Sequence, residues 1–159
     1  MKYTLNRNEI EEIEIDLTGT CNLRCPICTR NFVHAKDMAT KNIRPLDEIV
    51  KQLDTFGGLK RFFIAGAVSE PTLYPQFFEF IEYLNHRKIT YELFTNGSTH
   101  DQLWWKKLGS LVPSNCMTCF TVCGSTQEMH SRYRIGSNLQ DILDNASSYR
   151  LNLRKNDWV

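Results

Sequence analysis

The sequence predicts an α/β protein built on a sheet of parallel strands. Segments with the pattern of a β-strand alternate with segments whose apolar residues recur every three to four positions, as in an amphipathic helix. About four such strand–helix units follow one another within the 159 residues. A strand followed by a helix and then by another strand favours a right-handed crossover, which places successive strands parallel in one sheet.

The first two units have clear boundary signals. Residues 12–17 alternate charged and apolar side chains as a strand does, and a helix opens at Pro45 and is closed by Gly57. The second unit has a buried strand over 61–65 and a helix near 75–87. The apolar stripes predicted to face the core are Leu46, Ile49, Val50 and Leu53 in the first helix and Phe77, Phe80, Ile81 and Leu84 in the second.

Two further units follow the same pattern. Residues 89–94 and 117–122 read as strands, 99–111 and 138–148 as helices, and 149–153 as the start of a fifth strand. The units stop there, so we expect the C-terminal units of a larger sheet to be missing. The side chains predicted to point inward are Leu103, Leu108 and Leu111 in the third helix and Leu139, Ile142, Leu143 and Ala146 in the fourth.

Composition narrows the function classes. The net charge is +1, and the basic residues are spread along the chain, which argues against a nucleic-acid or membrane-surface partner. No run of about 18 apolar residues and no signal peptide is present, so we expect a cytoplasmic protein. In a reducing compartment, the two groups of three cysteines favour metal or redox chemistry over disulfides.

The first cysteine group has the spacing of a metal site. Cys21, Cys25 and Cys28 fall within eight residues of a loop that follows the first strand. Three thiolates can bind three irons of a cubane cluster, which leaves the fourth iron open for a substrate or cofactor. The alternative is a zinc site formed by the three cysteines and a histidine such as His34.

The sequence Cys-Asn-Leu-Arg-Cys-Pro-Ile-Cys resembles the signature of the radical S-adenosylmethionine (SAM) superfamily. The resemblance implies that residues 1–159 form a radical SAM core domain that is incomplete at its C-terminus, a partial (βα)6 TIM-type barrel. It also implies a [4Fe–4S] cluster on Cys21, Cys25 and Cys28, with SAM chelated to the open iron. Reductive cleavage of SAM would then give a 5′-deoxyadenosyl radical that abstracts hydrogen from a substrate. In the family, the residue before the third cysteine is often aromatic and packs near the adenine of SAM. Ile27 occupies that position here, which implies a contact with the adenine.

Two later segments resemble further family motifs. Residues 66–75 resemble the Gly-Gly-Glu-Pro loop, in which Gly66 would let the backbone approach SAM and Glu70 would contact its ammonium group. Thr95 and Asn96 match the Thr-Asn-Gly found at the end of the third strand, which implies contacts near SAM or the substrate. Taken alone, both segments are turns.

The fourth strand and the segment after it resemble those of SPASM-type peptide-modifying enzymes. Thr121 and Cys123 stand in place of a serine and an aspartate, and Arg134 matches an arginine. Thr121 and Arg134 are therefore candidate SAM contacts, Arg134 as the carboxylate partner. By strand alternation, Cys119, Thr121 and Cys123 share the face expected to be the barrel interior. Cys123 is a candidate for giving a hydrogen atom or a thiol to a substrate radical. The alternative is that it is an ordinary buried cysteine.

The leading hypothesis is thus a radical SAM enzyme, or a fragment of one. Its substrate is unknown, the resemblance favours a peptide, and a flavodoxin or ferredoxin would donate the electron. The competing hypothesis is a non-catalytic iron–sulfur or zinc module, or one half of a split barrel. The histidines are isolated in the sequence and receive no catalytic role: His34, His86, His100 and His130.

Overall fold

The computed structural model describes residues 6–32 and 43–153. Within these ranges the chain forms one sheet of four strands in the order β1-β2-β3-β4, and every neighbouring pair is parallel. The predicted α/β fold with a parallel sheet is therefore confirmed. The strands are β1 (Glu12–Glu14), β2 (Arg61–Ile64), β3 (Thr90–Thr95) and β4 (Met117–Phe120).

Helices connect and follow the strands. Asp101, Thr126 and Asn138 cap three of them at the N-terminus, each by accepting hydrogen bonds from backbone N–H groups of the first turn. None of the helices in the described ranges is long and apolar enough to cross a membrane. The helices are α1 (Leu46–Leu53), α2 (Phe77–His86), α3 (Gln102–Leu111), α4 (Gln127–Tyr133) and α5 (Leu139–Leu151).

The hydrophobic core lies between the helices and one face of the sheet. On this face Phe62, Ile64, Tyr91 and Leu93 are buried, because side chains two positions apart along a strand point the same way. The ring of Phe80 on α2 packs edge-on against Phe62, with centroids 5.2 Å apart. Burying side chains of this size contributes about 1.5–3 kcal/mol each, so the helices are held firmly on this side.

The opposite face of the sheet is much less covered. Phe63, Glu92 and Phe94 are half-buried there, Met117 is exposed, and Arg61 forms a 3.0 Å ion pair with Glu12. In a closed barrel this face would point inward. The sheet therefore has the form of part of a TIM-type barrel, with its interior face open.

The structure corrects the predicted end of the chain. Residues 149–151 continue α5, so a fifth strand at 149–153 is wrong. Tyr149 lies on the same face of α5 as Ile142 and Asn145, and its ring packs 5.7 Å from that of Phe120. Ile142, Asn145 and Tyr149 follow one another at spacings of three and four residues, so the buried face of α5 continues past residue 148, where the helix was predicted to end.

Two predicted core positions are also wrong. Leu103 is 74% exposed and Leu143 is 47% exposed. On α3 the fully buried Trp105 takes the core position, and its indole N–H donates to the Thr99 carbonyl oxygen at 2.9 Å. The polar Asn145 takes the corresponding position on α5, where it too is buried.

The parallel register brings the functional segments together. Because all four strands of the described sheet run the same way, the loops that follow them emerge at one edge, called here the carboxyl edge. The predicted first and fourth strands are shorter than expected and end at Glu14 and Phe120. The segments after them are consequently loops at this edge.

Candidate functional site

A cavity of about 230 Å³ opens at the carboxyl edge of the sheet. Its lining comes from the end of β3, from the segments that follow β1, β2, β3 and β4, and from the residue after α4. Nine of the residues singled out in the sequence lie in its wall: Cys21, Cys25, Cys28, Gly66, Glu70, Thr95, Asn96, Thr121 and Arg134.

The cysteine loop folds as a compact turn. The Cys28 N–H donates to the Cys25 carbonyl oxygen at 3.2 Å, and the Asn31 side-chain amide donates to the same oxygen at 2.8 Å. The Arg24 N–H donates to the Ile135 carbonyl oxygen at 3.0 Å, which ties this loop to the segment after α4. These bonds hold Cys25 and Cys28 within one turn.

The thiols of this loop are suitable ligands for an iron–sulfur cluster. All six cysteines lie in the described ranges as free thiols, and the three of this loop are half-buried. In those ranges no three His, Cys, Asp or Glu side chains are close enough to chelate one metal ion. A cubane cluster does not require this, because each cysteine binds a different iron. The donor set fits such a cluster; His34, proposed as a zinc ligand, lies outside the described residues.

Two arginines place positive charge beside the thiols. Arg134 donates from Nε to Cys123 Sγ at 3.1 Å, and its Nη1 lies 3.8 Å from Cys25 Sγ. Arg30, which the sequence reasoning missed, reaches the Cys21 carbonyl oxygen at 3.4 Å and also lines the cavity. The pKa of the Cys21 thiol is raised overall, chiefly by burial, and the charge of Arg30 offsets this rise only in part. The arginines thus favour negative charge on this side of the cavity.

Glu70 contributes a buried carboxylate to the wall of the same cavity. Its side chain is 2% exposed, and its Oε1 accepts hydrogen bonds from the hydroxyls of Thr72 at 2.7 Å and Thr95 at 2.5 Å. Oε2 accepts from the Asn96 backbone N–H at 2.8 Å. Among the described residues no Lys, Arg or His forms an ion pair with this carboxylate. A buried carboxylate satisfied only by neutral donors is suited to attract a cationic group.

The loop before Glu70 departs from a double-glycine sequence but keeps a special backbone. Gly66 has φ +61°, and a Cβ there would lie 2.8 Å from the Ser69 carbonyl oxygen. Ser69 donates from its hydroxyl to Asp16 Oδ1 at 2.9 Å. Thr29 in turn donates to the Ala67 carbonyl oxygen at 2.9 Å. The loop is therefore fixed against both the β1 segment and the cysteine loop.

A second cavity of about 250 Å³ also has Cys25, Cys28 and Arg134 in its wall. Ile27 and Cys123, which the sequence also singled out, line this cavity together with Tyr133. Ile27 is 78% exposed, and Cys123 follows the end of β4, so strand alternation does not determine where its side chain points.

His130 is a buried residue whose place the sequence reasoning missed. Its Nδ1 accepts from the Cys123 N–H at 3.3 Å, and its Nε2 contacts the Ser137 hydroxyl at 2.8 Å. That hydroxyl donates to the Arg134 carbonyl oxygen at 2.8 Å. Burial, followed by the charge of Arg134, lowers the pKa of His130. The two partners of the His130 ring, Cys123 and Ser137, each lie seven positions away, and no repeating pattern in the sequence indicates these contacts.

The fold and the site together define an α/β domain with a cysteine-lined cavity at the carboxyl edge of its strands. The model of the Radical SAM superfamily matches residues 15–151, so the chain belongs to the radical SAM superfamily.

A curated protein and two solved structures are similar to this chain. The tungsten-containing aldehyde ferredoxin oxidoreductase cofactor-modifying protein of Pyrococcus furiosus is 29% identical over 100 residues, which are 61% of this chain and 27% of that protein. Native anSMEcpe with bound AdoMet and Cp18Cys peptide aligns with a TM-score of 0.61 and 22% identity, over 91% of this chain and 40% of that one. Streptococcus suis SuiB bound to the precursor peptide SuiA aligns with a TM-score of 0.70 and 16% identity, over 91% of this chain and 31% of that one. The chain thus spans less than half the length of each.

Proposed function

We propose that the chain binds a [4Fe–4S] cluster through Cys21, Cys25 and Cys28 and binds SAM beside it, as the cofactor-binding part of a radical SAM enzyme. One observation carries the proposal: the three free thiols open onto the same cavity as the buried carboxylate of Glu70 and the guanidinium of Arg134. A cluster with three cysteine ligands keeps one iron open, and an amino acid moiety that binds there presents one ammonium and one carboxylate group.

The wall of the cavity has groups for both ends of that moiety. Glu70 would receive the ammonium, because its buried carboxylate forms no ion pair with a described residue. Arg134 would receive the carboxylate, and Thr95, Asn96, Thr121 and the Gly66 backbone would line the same ligand. Ile27 would contact the adenine from the second cavity. When bound, the cluster and SAM supply one-electron cleavage of SAM and radical abstraction of hydrogen from the substrate.

The substrate class we propose is a peptide. Two solved structures of the same fold contain bound peptides, which supports this choice. Cys123 lines the second cavity together with Cys25 and Cys28. A thiol at this place could donate a hydrogen atom to a substrate radical. We place the protein in the cytoplasm, because half-exposed cysteines stay reduced and able to bind a cluster in a reducing compartment. A flavodoxin or ferredoxin there would supply the electron.

Metal analysis after anaerobic reconstitution tests the proposal. We expect about four irons per chain and an electron paramagnetic resonance signal from the reduced cluster that changes when SAM is added. The Cys25→Ala variant should lose the cluster. The matched control is Cys116→Ala, because Cys116 is also a half-buried free thiol but precedes β4 and contacts neither cavity.

Three results would contradict the proposal. Stoichiometric zinc without iron would favour the zinc module. A four-iron cluster whose spectrum does not respond to SAM would favour a non-catalytic iron–sulfur module. Equal iron content in the Cys25→Ala variant and the wild-type protein would exclude the cysteine loop as the binding site.

A further inference from the structure

A chain of hydrogen bonds, buried at its Glu70 end and half-buried at its Asn22 end, joins the loops that follow β1, β2 and β3. It runs from Glu70 through Asn96 to Asn22, and we call it the Glu70–Asn96–Asn22 network. We propose that this network positions Cys21 for cofactor binding, so that Glu70 and Asn96 are positioning residues of the cysteine loop in addition to lining the cavity. The inference rests on the proposed function, because it concerns how one ligand of the proposed cluster is held.

The Glu70 end of the network is firmly anchored. A carboxylate that is 2% exposed must be hydrogen-bonded, since leaving such a charge unsatisfied costs several kcal/mol or more. Charge-assisted hydrogen bonds are also stronger than neutral ones. The bond from the Asn96 backbone N–H to Glu70 Oε2 therefore fixes the start of the loop after β3 to the loop after β2.

The orientation of the Asn96 side chain follows from its neighbours. Its Oδ1 accepts from the Ser98 backbone N–H at 2.8 Å and from the Ser98 hydroxyl at 2.7 Å. A backbone N–H can only donate, so the atom facing it must be the oxygen and the amide nitrogen must face the other way. That nitrogen donates to Asn22 Oδ1 at 2.9 Å and lies 3.9 Å from Cys21 Sγ.

Cys21 is held on both sides by these loops. On one side the Thr20 carbonyl oxygen accepts from the Glu70 backbone N–H at 2.7 Å, and on the other Asn22 is held by Asn96. Cys25 and Cys28 are instead tied to each other and to Asn31 inside their own turn. The network consequently acts on Cys21, which lies outside this turn.

The Asn96→Asp variant removes one element of the network. It keeps the backbone N–H to Glu70 and the oxygen that Ser98 contacts, but it loses the donor to Asn22 and Cys21. Residues that orient metal ligands typically contribute about 10–100-fold to metal affinity. We therefore expect the reconstituted variant to lose iron to a chelator about tenfold faster than the wild-type protein does.

Asn145→Asp is the matched control. Asn145 is also buried, and its side-chain amide donates to the Gly97 carbonyl oxygen at 2.9 Å, so it supports the same loop from the helix side without contacting a cysteine. The same chemical change there should lower the unfolding temperature and leave iron loss at the wild-type rate. If the role of Asn96 were merely structural, Asn96→Asp would likewise lower the unfolding temperature and leave iron loss at the wild-type rate.

A second pair of variants covers the case in which Asn96→Asp fails to fold. Asn22 is exposed, so Asn22→Ala removes the acceptor of the Asn96 amide by a change at the protein surface. It should accelerate iron loss, whereas Asn22→Asp, which keeps an acceptor oxygen, should restore slow loss. Wild-type iron retention in folded Asn96→Asp and Asn22→Ala would overturn the inference alone. A wild-type protein that takes up no cluster would overturn the proposed function and this inference with it.

Discussion

At the scale of single residues, the site depends on polar side chains whose partners lie far away in the sequence. Glu70 contacts Thr95 and Asn96, and Asn96 contacts Asn22, 74 positions earlier. Each contact joins loops from different strands. A substitution at any of them therefore affects the geometry of the whole carboxyl edge as well as one local bond.

The stability of the protein should depend on pH through His130. Its Nδ1 must stay unprotonated to accept from the Cys123 N–H, and burial together with Arg134 lowers its pKa in the folded state. The unfolded chain binds a proton at the usual pKa of about 6.5. As the pH falls below that value, the unfolded state takes up a proton that the folded state cannot, and the free energy of unfolding decreases.

Urea unfolding at pH 7.5, 6.5 and 5.5 measures this effect. The wild-type protein should lose stability between the first and the last pH, and His130→Gln should be less stable at pH 7.5 but lose less on acidification. His86→Gln is the control, because His86 is exposed and should leave the pH dependence unchanged. Parallel curves for the wild-type protein and His130→Gln would contradict the assignment.

At the scale of the elements, α3 and α5 approach closely at Gly109. A Cβ on Gly109 would lie 2.3 Å from the Tyr149 carbonyl oxygen, which belongs to the backbone of α5 and has little room to move. Gly109→Ala gains about 1 kcal/mol of helix propensity but forces the two helices apart, and overpacking costs about 1–3 kcal/mol or more. Because the 2.3 Å contact is with backbone, we expect the upper end of that cost and a net loss of about 2 kcal/mol in the free energy of unfolding.

Urea unfolding of cofactor-free protein measures this loss. Ser110→Ala is the matched control, because Ser110 is the next residue of α3 and is exposed, so its stability should change by less than about 0.5 kcal/mol. Gly109→Ala as stable as Ser110→Ala would contradict the expected net loss, because separating the helices would then cost no more than the roughly 1 kcal/mol that alanine gains in helix propensity.

The elements also show what the sequence could and could not predict. Strands and helices with strong periodicity, such as β3 and α2, were located to within one or two residues. The short helix α4 was missed because its seven residues have no repeating apolar stripe. Leu103 was predicted to point inward with Leu108 and Leu111, but packing against Phe120 and the hydrogen bond to the Thr99 carbonyl oxygen place Trp105 in the core instead.

The site was predictable to the extent that local motifs carry it. The three cysteines, Glu70 and Arg134 were found from their motifs, and the structure places them around one cavity. Arg30, Asn22 and His130 were not found, because their roles depend on contacts between loops rather than on spacing in the sequence. Such contacts follow from the register of the sheet, which a single sequence does not specify.

At the scale of the whole molecule, stability is distributed unevenly. The helix-covered face of the sheet contains the large buried side chains, whereas the cysteine loop is half-exposed and is held mainly by hydrogen bonds. A cofactor that binds the folded chain and not the unfolded chain raises stability by its binding free energy. Binding of a cofactor at the cysteine loop should therefore stabilise the less well packed side of the molecule.

We expect the unfolding temperature to rise when the cluster is reconstituted and to fall again when a chelator removes it. For a chain of this length each kcal/mol corresponds to about 2–4 °C, so a cluster that contributes several kcal/mol should raise the unfolding temperature by about 10 °C. Hydrogen exchange should slow in residues 20–32, 66–72 and 95–99, which surround the cavity, and remain unchanged in α1 and α2. Reconstituted Cys25→Ser should show neither change; an equal rise in that variant would mean that iron stabilises the chain at another place.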